Sequence, residues 1–300
     1  MRILVTGVNG QVGGELMDFG ILGCELIPAD RSVLDLADPQ SIEEACARIA
    51  PDLVVNCAAY TAVDQAEDEP EVAFAVNAEG PRHLARLNAA KGLPLIHIST
   101  DTVFDGTKTD PYLPSDPVNP LSVYGASKEA GERAIREVCP THVILRTSWV
   151  FSSRGQNFVK TMLRLSESME PLRVVADQTG RPTSAYDLSQ AIVAVVKKIR
   201  SGNVHWGTYH FCNAGATTWY EFALGIFAEA KKTSDWEPVV KAITTREYPL
   251  KARRPGKAVL STETFEAKFE YTPRPWRLAL ADVVSDIPQM SPKFSPTPLP

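Results

Sequence analysis

The stretch that most restricts the fold lies at the N-terminus. Ile3-Leu4-Val5 is an apolar run without alternation, followed at once by Gly7-Val8-Asn9-Gly10-Gln11-Val12-Gly13 and an apolar helical pattern through Leu16 and Met17. A strand that is apolar on both faces belongs inside a parallel sheet covered by helices on both sides. Gly7, Gly10 and Gly13 allow a tight turn, let the backbone approach a pyrophosphate closely, and leave a helix N-terminus open to its charge. These three glycines are therefore the candidate dinucleotide turn. Their spacing is Gly-x-x-Gly-x-x-Gly rather than Gly-x-Gly-x-x-Gly.

The same strand–helix alternation continues. A second strand, Glu25 to Ala29, ends at Asp30, where a carboxylate is suited to bond the adenosine ribose hydroxyls. That charge repels a 2′-phosphate and favours NADH, whereas the neighbouring Arg31 offsets it and admits NADPH. Asp35-Leu36 is expected to close a short third strand, and Asp38-Pro39 has the cap-then-proline form of a helix start. Leu53 to Asn56 forms a fourth strand leading into the small residues Cys57-Ala58-Ala59, with Tyr60 and Thr61 after them. A long helix is expected from about Pro70 to Ala90. Leu95 to Ser99 is a fifth strand, delivering Thr100-Asp101-Thr102 to the same edge, and Val143 to Arg146 is a sixth. His97, alternating with apolar neighbours, is read as a core histidine. This pattern specifies an α/β fold: a Rossmann-type, doubly wound parallel sheet that binds ligands at the C-terminal ends of its strands.

Before the sixth strand stands Tyr124-Gly125-Ala126-Ser127-Lys128. Residues four apart share one helix face, so the phenol and the ammonium serve one site. An ammonium nearby favours phenolate, and the Tyr124 pKa is expected to fall below that of free tyrosine. Tyr124 then donates a proton to a carbonyl undergoing reduction while Lys128 holds a coenzyme ribose.

Beyond Trp149 the pattern changes. A helix near Asn157 to Leu165, a strand at Arg173 to Val175, and the aromatic-basic segments after Trp206 and around Arg246 to Pro255 read as a smaller α/β lobe. The expected division is 1–150 for the dinucleotide domain, with 184–202 returning to it. The substrate lobe comprises 151–183 and 203–286, and 287–300 is expected to be a disordered Pro-rich tail.

Composition excludes several other classes. The 300 residues carry a net charge of −5 and no Lys/Arg run, against a nucleic-acid partner. No apolar run approaches membrane-spanning length, and Met1 enters a strand without space for a signal peptide. The five cysteines are scattered and read as reduced thiols of a cytoplasmic protein. No histidine has metal-ligand spacing.

On these segments the chain resembles the extended short-chain dehydrogenase/reductases, and within them the dTDP-4-dehydrorhamnose reductases. The resemblance runs from Met1 to about Asp286. It is carried by Val5 to Gly13, Asn56 to Asp64, Ser99-Thr100-Asp101, Val103 to Gly106, Tyr124 to Lys128, Leu145 to Phe151, Asn157 to Leu163, Asp177 to Thr183 and Arg254-Pro255-Gly256. It implies that Gly10, Gln11, Val12, Asp30, Asp35, Leu36, Ala59, Tyr60, Thr61 and Ile98, with Tyr124 and Lys128, line NADPH or NADH. It implies a catalytic set of Thr100, Tyr124 and Lys128, with Thr100, Asp101 and Trp149 against a dTDP-sugar whose 4-keto group is reduced. Thr102 stands where members usually carry Tyr, and Pro114 where they often carry Glu. These departures leave open a 4-ketoreductase for another dTDP-deoxysugar. A non-catalytic relative that regulates a methionine adenosyltransferase is a second alternative, against which the intact Thr100, Tyr124 and Lys128 stand. A dehydratase would need Asp-Glu after the Thr, and Thr102 cannot serve. Some relatives form homodimers through Mg²⁺ held by helix carboxylates. Glu15 matches one of these, Tyr186 replaces another, and no metal is expected.

Overall fold

The computed structural model describes residues 1–166, 170–232 and 238–287. Its first half runs β1 (Arg2–Thr6), α1 (Gln11–Phe19), β2 (Glu25–Ala29), α2 (Pro39–Ile49), β3 (Leu53–Asn56), α3 (Pro70–Phe74), α4 (Gly80–Ala90), β4 (Leu95–Thr100), α5 (Val123–Val138) and β5 (His142–Thr147). The second half runs β6 (Val150–Phe151), α6 (Phe158–Leu165), β7 (Leu172–Val175), β8 (Thr179–Gly180), β9 (Thr183–Ser184), α7 (Ala185–Arg200), β10 (Gly207–His210), β11 (Thr217–Thr218), α8 (Trp219–Ala230), β12 (Val240–Ile243), α9 (Glu263–Phe269) and α10 (Trp276–Asp286).

Six parallel strands form the central sheet in the order β10-β5-β4-β3-β1-β2. Successive side chains on a strand face opposite ways, which explains the uninterrupted apolar runs. Ile3, Val5, Leu53, Val55 and Ile96 pack with α1, α7 and α9 on one face. Leu4, Val54, Leu95 and Ile144 pack with α2, α4 and α5 on the other. The sheet is thus covered on both sides, as a doubly wound fold requires.

Two expectations are corrected, and a third holds with one irregularity. Asp35-Leu36 forms no strand, because the carboxylate and carbonyl of Asp30 tie residues 32–34 into a turn. The long helix from Pro70 to Ala90 is continuous but contains a wide π-helical turn at Ala75–Glu79. Trp206 to Phe211, expected in the smaller lobe, instead supplies β10 to the central sheet beside β5. Phe265 and Phe269 of α9 likewise pack into the sheet's core.

A separate apolar cluster joins Phe151, Val159, Met162, Val174, Phe222, Trp276 and Leu280, on β6, α6, β7, α8 and α10. The Pro-rich stretch beyond Ile287 lies outside the described residues. Among those described, no helix is long and apolar enough to cross a membrane, and no group of three or more His, Cys, Asp or Glu could hold a metal.

Candidate active site

Main-chain atoms build the first part of the site. Gly7 adopts φ +69°, and a Cβ there would lie 2.7 Å from the Ala58 nitrogen. A Cβ on Gly13 would lie 2.4 Å from the Gly7 carbonyl oxygen, so α1 enters against the turn only because Gly13 has none. Gly10 caps α1 without any side-chain cap, leaving the first-turn N–H groups of α1 for an anion. This cradle fits a dinucleotide pyrophosphate. Gln11 follows, its amide oxygen accepting from Asn157 at 2.9 Å, with Val12 beside it on the same turn.

At the end of β2, the Asp30 carboxylate accepts from the Ser32 hydroxyl and amide at 2.6 and 2.9 Å, bonds that hold it below the usual carboxylate range. Arg31 does not face Asp30; its guanidinium pairs with Asp35 at 3.0 Å. Burial pushes the Asp35 carboxyl up, but the Ala37 amide and Arg31 outweigh it and keep the group low. Leu36 is buried, with its side chain in the core and its carbonyl against Gly80. Ala59, Tyr60 and Thr61 follow β3, and Asn77, from the π-helical turn, clamps this loop. It accepts from the Tyr60 amide at 2.9 Å and donates to the Tyr60 carbonyl and the Ser127 hydroxyl, each at 3.0 Å.

Side chains build the second part. Ser122 caps α5 by accepting from the Gly125 amide, and Gly125 lets the Thr102 carbonyl pack where a Cβ would lie 2.4 Å away. This close approach sets Tyr124 beside Thr100. The Thr100 hydroxyl also lies 3.1 Å from both the Asp101 carboxylate and the Thr102 hydroxyl. Burial pushes the Asp101 carboxyl up to about 7, opposed by Thr100.

The expected lowering of the Tyr124 pKa is not found. Burial, helped by the Asp101 charge, pushes the phenol up to about 12 and outweighs the lowering influence of Thr100 and Arg254. Lys128 is turned elsewhere: its Nζ donates to the Ile98 carbonyl at 2.7 Å and lies 3.2 Å from His97 Nε2. Burial brings its pKa down to about 8, against the pull of Glu132 and Cys57. The Glu132 carboxylate is itself engaged by Arg146, Arg136 and Ser99.

Trp149 adopts φ +48° and stacks on Trp219 with ring centroids 3.6 Å apart; Gly180 leaves the space its indole fills. Arg254 reaches across from the C-terminal segment to Asp64 at 2.8 Å. Pro114 offers only its carbonyl, which Arg146 contacts at 3.3 Å. Sequence reading did not anticipate the contacts of Asn77 with the Tyr60 loop or of His97 with Lys128. The available signal was their chemistry: polar residues set within otherwise apolar segments.

Residues 1–288 match the family model described as the RmlD substrate binding domain. The dTDP-4-dehydrorhamnose reductase of Aggregatibacter actinomycetemcomitans is 40% identical over 289 residues, covering 94% of this chain and 98% of that one. A solved dTDP-4-dehydrorhamnose reductase from Clostridium acetobutylicum superposes with a TM-score of 0.88 at 37% identity, over 95% of this chain and 99% of that one. Another from Bacillus anthracis, in complex with NADP, gives a TM-score of 0.88 at 35% identity, with the same coverage.

Proposed function

This chain belongs to the RmlD substrate binding domain family, and we propose that it is a dTDP-4-dehydrorhamnose reductase. It uses NADPH or NADH to reduce the 4-keto group of dTDP-4-dehydro-6-deoxy-L-mannose (dTDP-6-deoxy-L-lyxo-4-hexulose), giving dTDP-L-rhamnose, the last step of dTDP-rhamnose formation. The observation that carries this reading is the placing of Tyr124 beside Thr100 at the sheet edge that also carries the glycine turn, with Lys128 one turn further along α5.

When bound, the coenzyme supplies the hydride. Gly7, Gly10, Gln11, Val12 and Gly13 would hold its pyrophosphate region and Asp30 its adenosine ribose. Asp35, Leu36, Ala59, Tyr60, Thr61 and Ile98 would line the remainder. Tyr124 is the general acid. A phenol raised to about 12 carries its proton throughout the neutral range, as reduction of a ketone demands. Thr100 donates to the oxygen on which charge develops. Lys128 would contact the ribose. Asp101, directly after β4, and Trp149 would face the sugar, with the unit around Phe151, Phe222 and Trp276 as the substrate lobe. The free thiols support a cytoplasmic enzyme. Sedimentation of the purified protein would decide between a monomer and the homodimer expected from the resemblance.

The test is turnover of the dTDP-sugar with each coenzyme, with the configuration of the product at C4 determined. dTDP-L-rhamnose as the main product is expected. Thr102 and Pro114 favour one second reading, a 4-ketoreductase for another dTDP-deoxysugar. Much faster reduction of such a sugar would replace the substrate and keep the chemistry.

A further inference from the structure

Thr6, Asn56 and His97 stand in register on β1, β3 and β4. Each is at most 1% exposed in an otherwise apolar stretch of sheet. They share the strand parity of Leu4, Val54 and Leu95, so all three face the α5 side, where Lys128 lies. Their bonds form one row: Ala58 N to Thr6 Oγ1 at 3.2 Å, Thr6 Oγ1 to Asn56 Oδ1 at 2.6 Å, Asn56 Nδ2 to His97 Nδ1 at 3.0 Å, and His97 Nε2 to Lys128 Nζ at 3.2 Å.

Thr6 Oγ1 accepts from the Ala58 amide and donates to Asn56 Oδ1. With its oxygen on Thr6, Asn56 offers its NH₂ to His97. Nδ1 of His97 therefore accepts, and a neutral imidazole with an accepting Nδ1 carries its hydrogen on Nε2. That hydrogen faces Lys128.

We infer that His97 is a positioning residue for Lys128: the Thr6–Asn56 row locks it as the Nε2–H tautomer, which seats the lysine amine and favours its neutral form. An ammonium has three donors and no acceptor, so it opposes Nε2–H, whereas the neutral amine accepts from Nε2–H while still donating to the Ile98 carbonyl. Burial holds His97 neutral, its pKa well below the ordinary value. The other ionisable groups facing the pair are Glu132 on α5, Cys57 after β3, and His142 on β5. Glu132 and Cys57 pull the lysine toward the charged form, so the row opposes them. The inference rests on the reading of Lys128 as part of the reducing centre.

The primary test needs neither coenzyme nor substrate. In protein labelled with ¹⁵N-histidine at pH 7, with the His97 resonances assigned by their loss in His97→Gln, Nε2 is expected to be the protonated nitrogen and Nδ1 the bare one. A protonated Nδ1 overturns the proposal. The second test is the pH profile of kcat. His97→Met should move the basic limb upward by about one pH unit, the size of one lost hydrogen bond. Thr6→Val, which frees Asn56 to turn, should move it less in the same direction, and His97→Gln, able to present an N–H, should restore it in part. A basic limb unmoved in Thr6→Val and His97→Met overturns the proposal as well. If the chain reduces no dTDP-sugar, the tautomer measurement still decides the inference by itself.

Discussion

The glycine turn and the reducing centre occupy one sheet edge and are built on opposite principles. In the turn, the proposed function rests on main-chain N–H groups and on the absence of side chains at Gly7 and Gly13. Such a device depends on spacing and steric room, both of which survive in any environment. In the centre, the proposed function rests on the ionisation of Tyr124, Lys128 and Asp101, and burial moves all three away from their ordinary values. Spacing brings these groups together. Their chemistry is then decided by what surrounds them.

The largest effect that would test this contrast is at Tyr124. Tyr124→Phe removes only the hydroxyl, the proposed acid, and is expected to lower kcat by ~10²–10⁴ while leaving the coenzyme Kd within about threefold. Lys128→Met should lower kcat at least as far and also weaken coenzyme binding. Turnover kinetics with coenzyme binding by fluorescence would separate the two. Near-full turnover of Tyr124→Phe would remove the centre from the comparison altogether.

Asp101 gives the next effect, one of stability. Its carboxyl is raised from 3.8 to about 7 by burial. The folded state binds that proton more tightly than the unfolded chain, so the stabilisation is complete below pH 3.8 and is lost as pH rises through 7. Asp101→Asn lacks this dependence. Relative to the variant, the wild-type protein should lose roughly 1–4 kcal/mol between pH 4 and pH 8. Denaturant melts of both proteins across that range measure it, and parallel curves would show that the carboxylate is not desolvated.

The same contrast explains what the sequence made legible. The turn, Asp30 and the Tyr-Lys pair are local patterns, and the elements bearing them form where the residues indicate. The in-register placement of β10 beside β5 depends on pairing between residues more than sixty positions apart, which no local pattern encodes. The strand expected at Asp35-Leu36 was lost to a turn organised by the Asp30 side chain and carbonyl. The sign of the Tyr124 shift was missed because the Tyr-x-x-x-Lys spacing shows a neighbour's charge but not the burial that outweighs it. His97 was read as a core residue, and it is buried in the core. Its contact with Lys128 depends on strand register, which is also a long-range property.

A smaller effect sharpens the turn's side. Gly13→Ala adds a Cβ whose nearest neighbour, the Gly7 carbonyl oxygen, is backbone and cannot swing away. The turn must open, and coenzyme affinity should fall by roughly tenfold or more, since displacing well-packed atoms typically costs about 1–3 kcal/mol. At saturating coenzyme, kcat should change little, because the centre is untouched. A fall in kcat without a change in Kd would mean that turn and centre are not separable.

The smallest effect concerns the choice of coenzyme, where the turn meets a charged side chain. Asp30 is held ionised by the Ser32 hydroxyl and amide, so a 2′-phosphate placed beside it meets a full negative charge. Arg31 does not cancel that charge while it is paired with Asp35. Its side chain, however, is 82% exposed, and an exposed pair of this kind is worth only about 0–1 kcal/mol. A 2′-phosphate can therefore recruit Arg31 from Asp35 with little loss. Both NADH and NADPH are accordingly expected to support turnover. Asp30→Ala removes the repulsion from NADPH and the hydrogen bonds to the NADH ribose together, so it should raise the NADPH-to-NADH ratio of kcat/KM by roughly 3–30-fold. Arg31→Ala should move the ratio the other way, and high salt should weaken the Arg31 effect because it is electrostatic. If Asp30→Ala leaves the ratio unchanged, Asp30 does not meet the ribose, and the coenzyme lies farther along the edge than the turn alone would direct it.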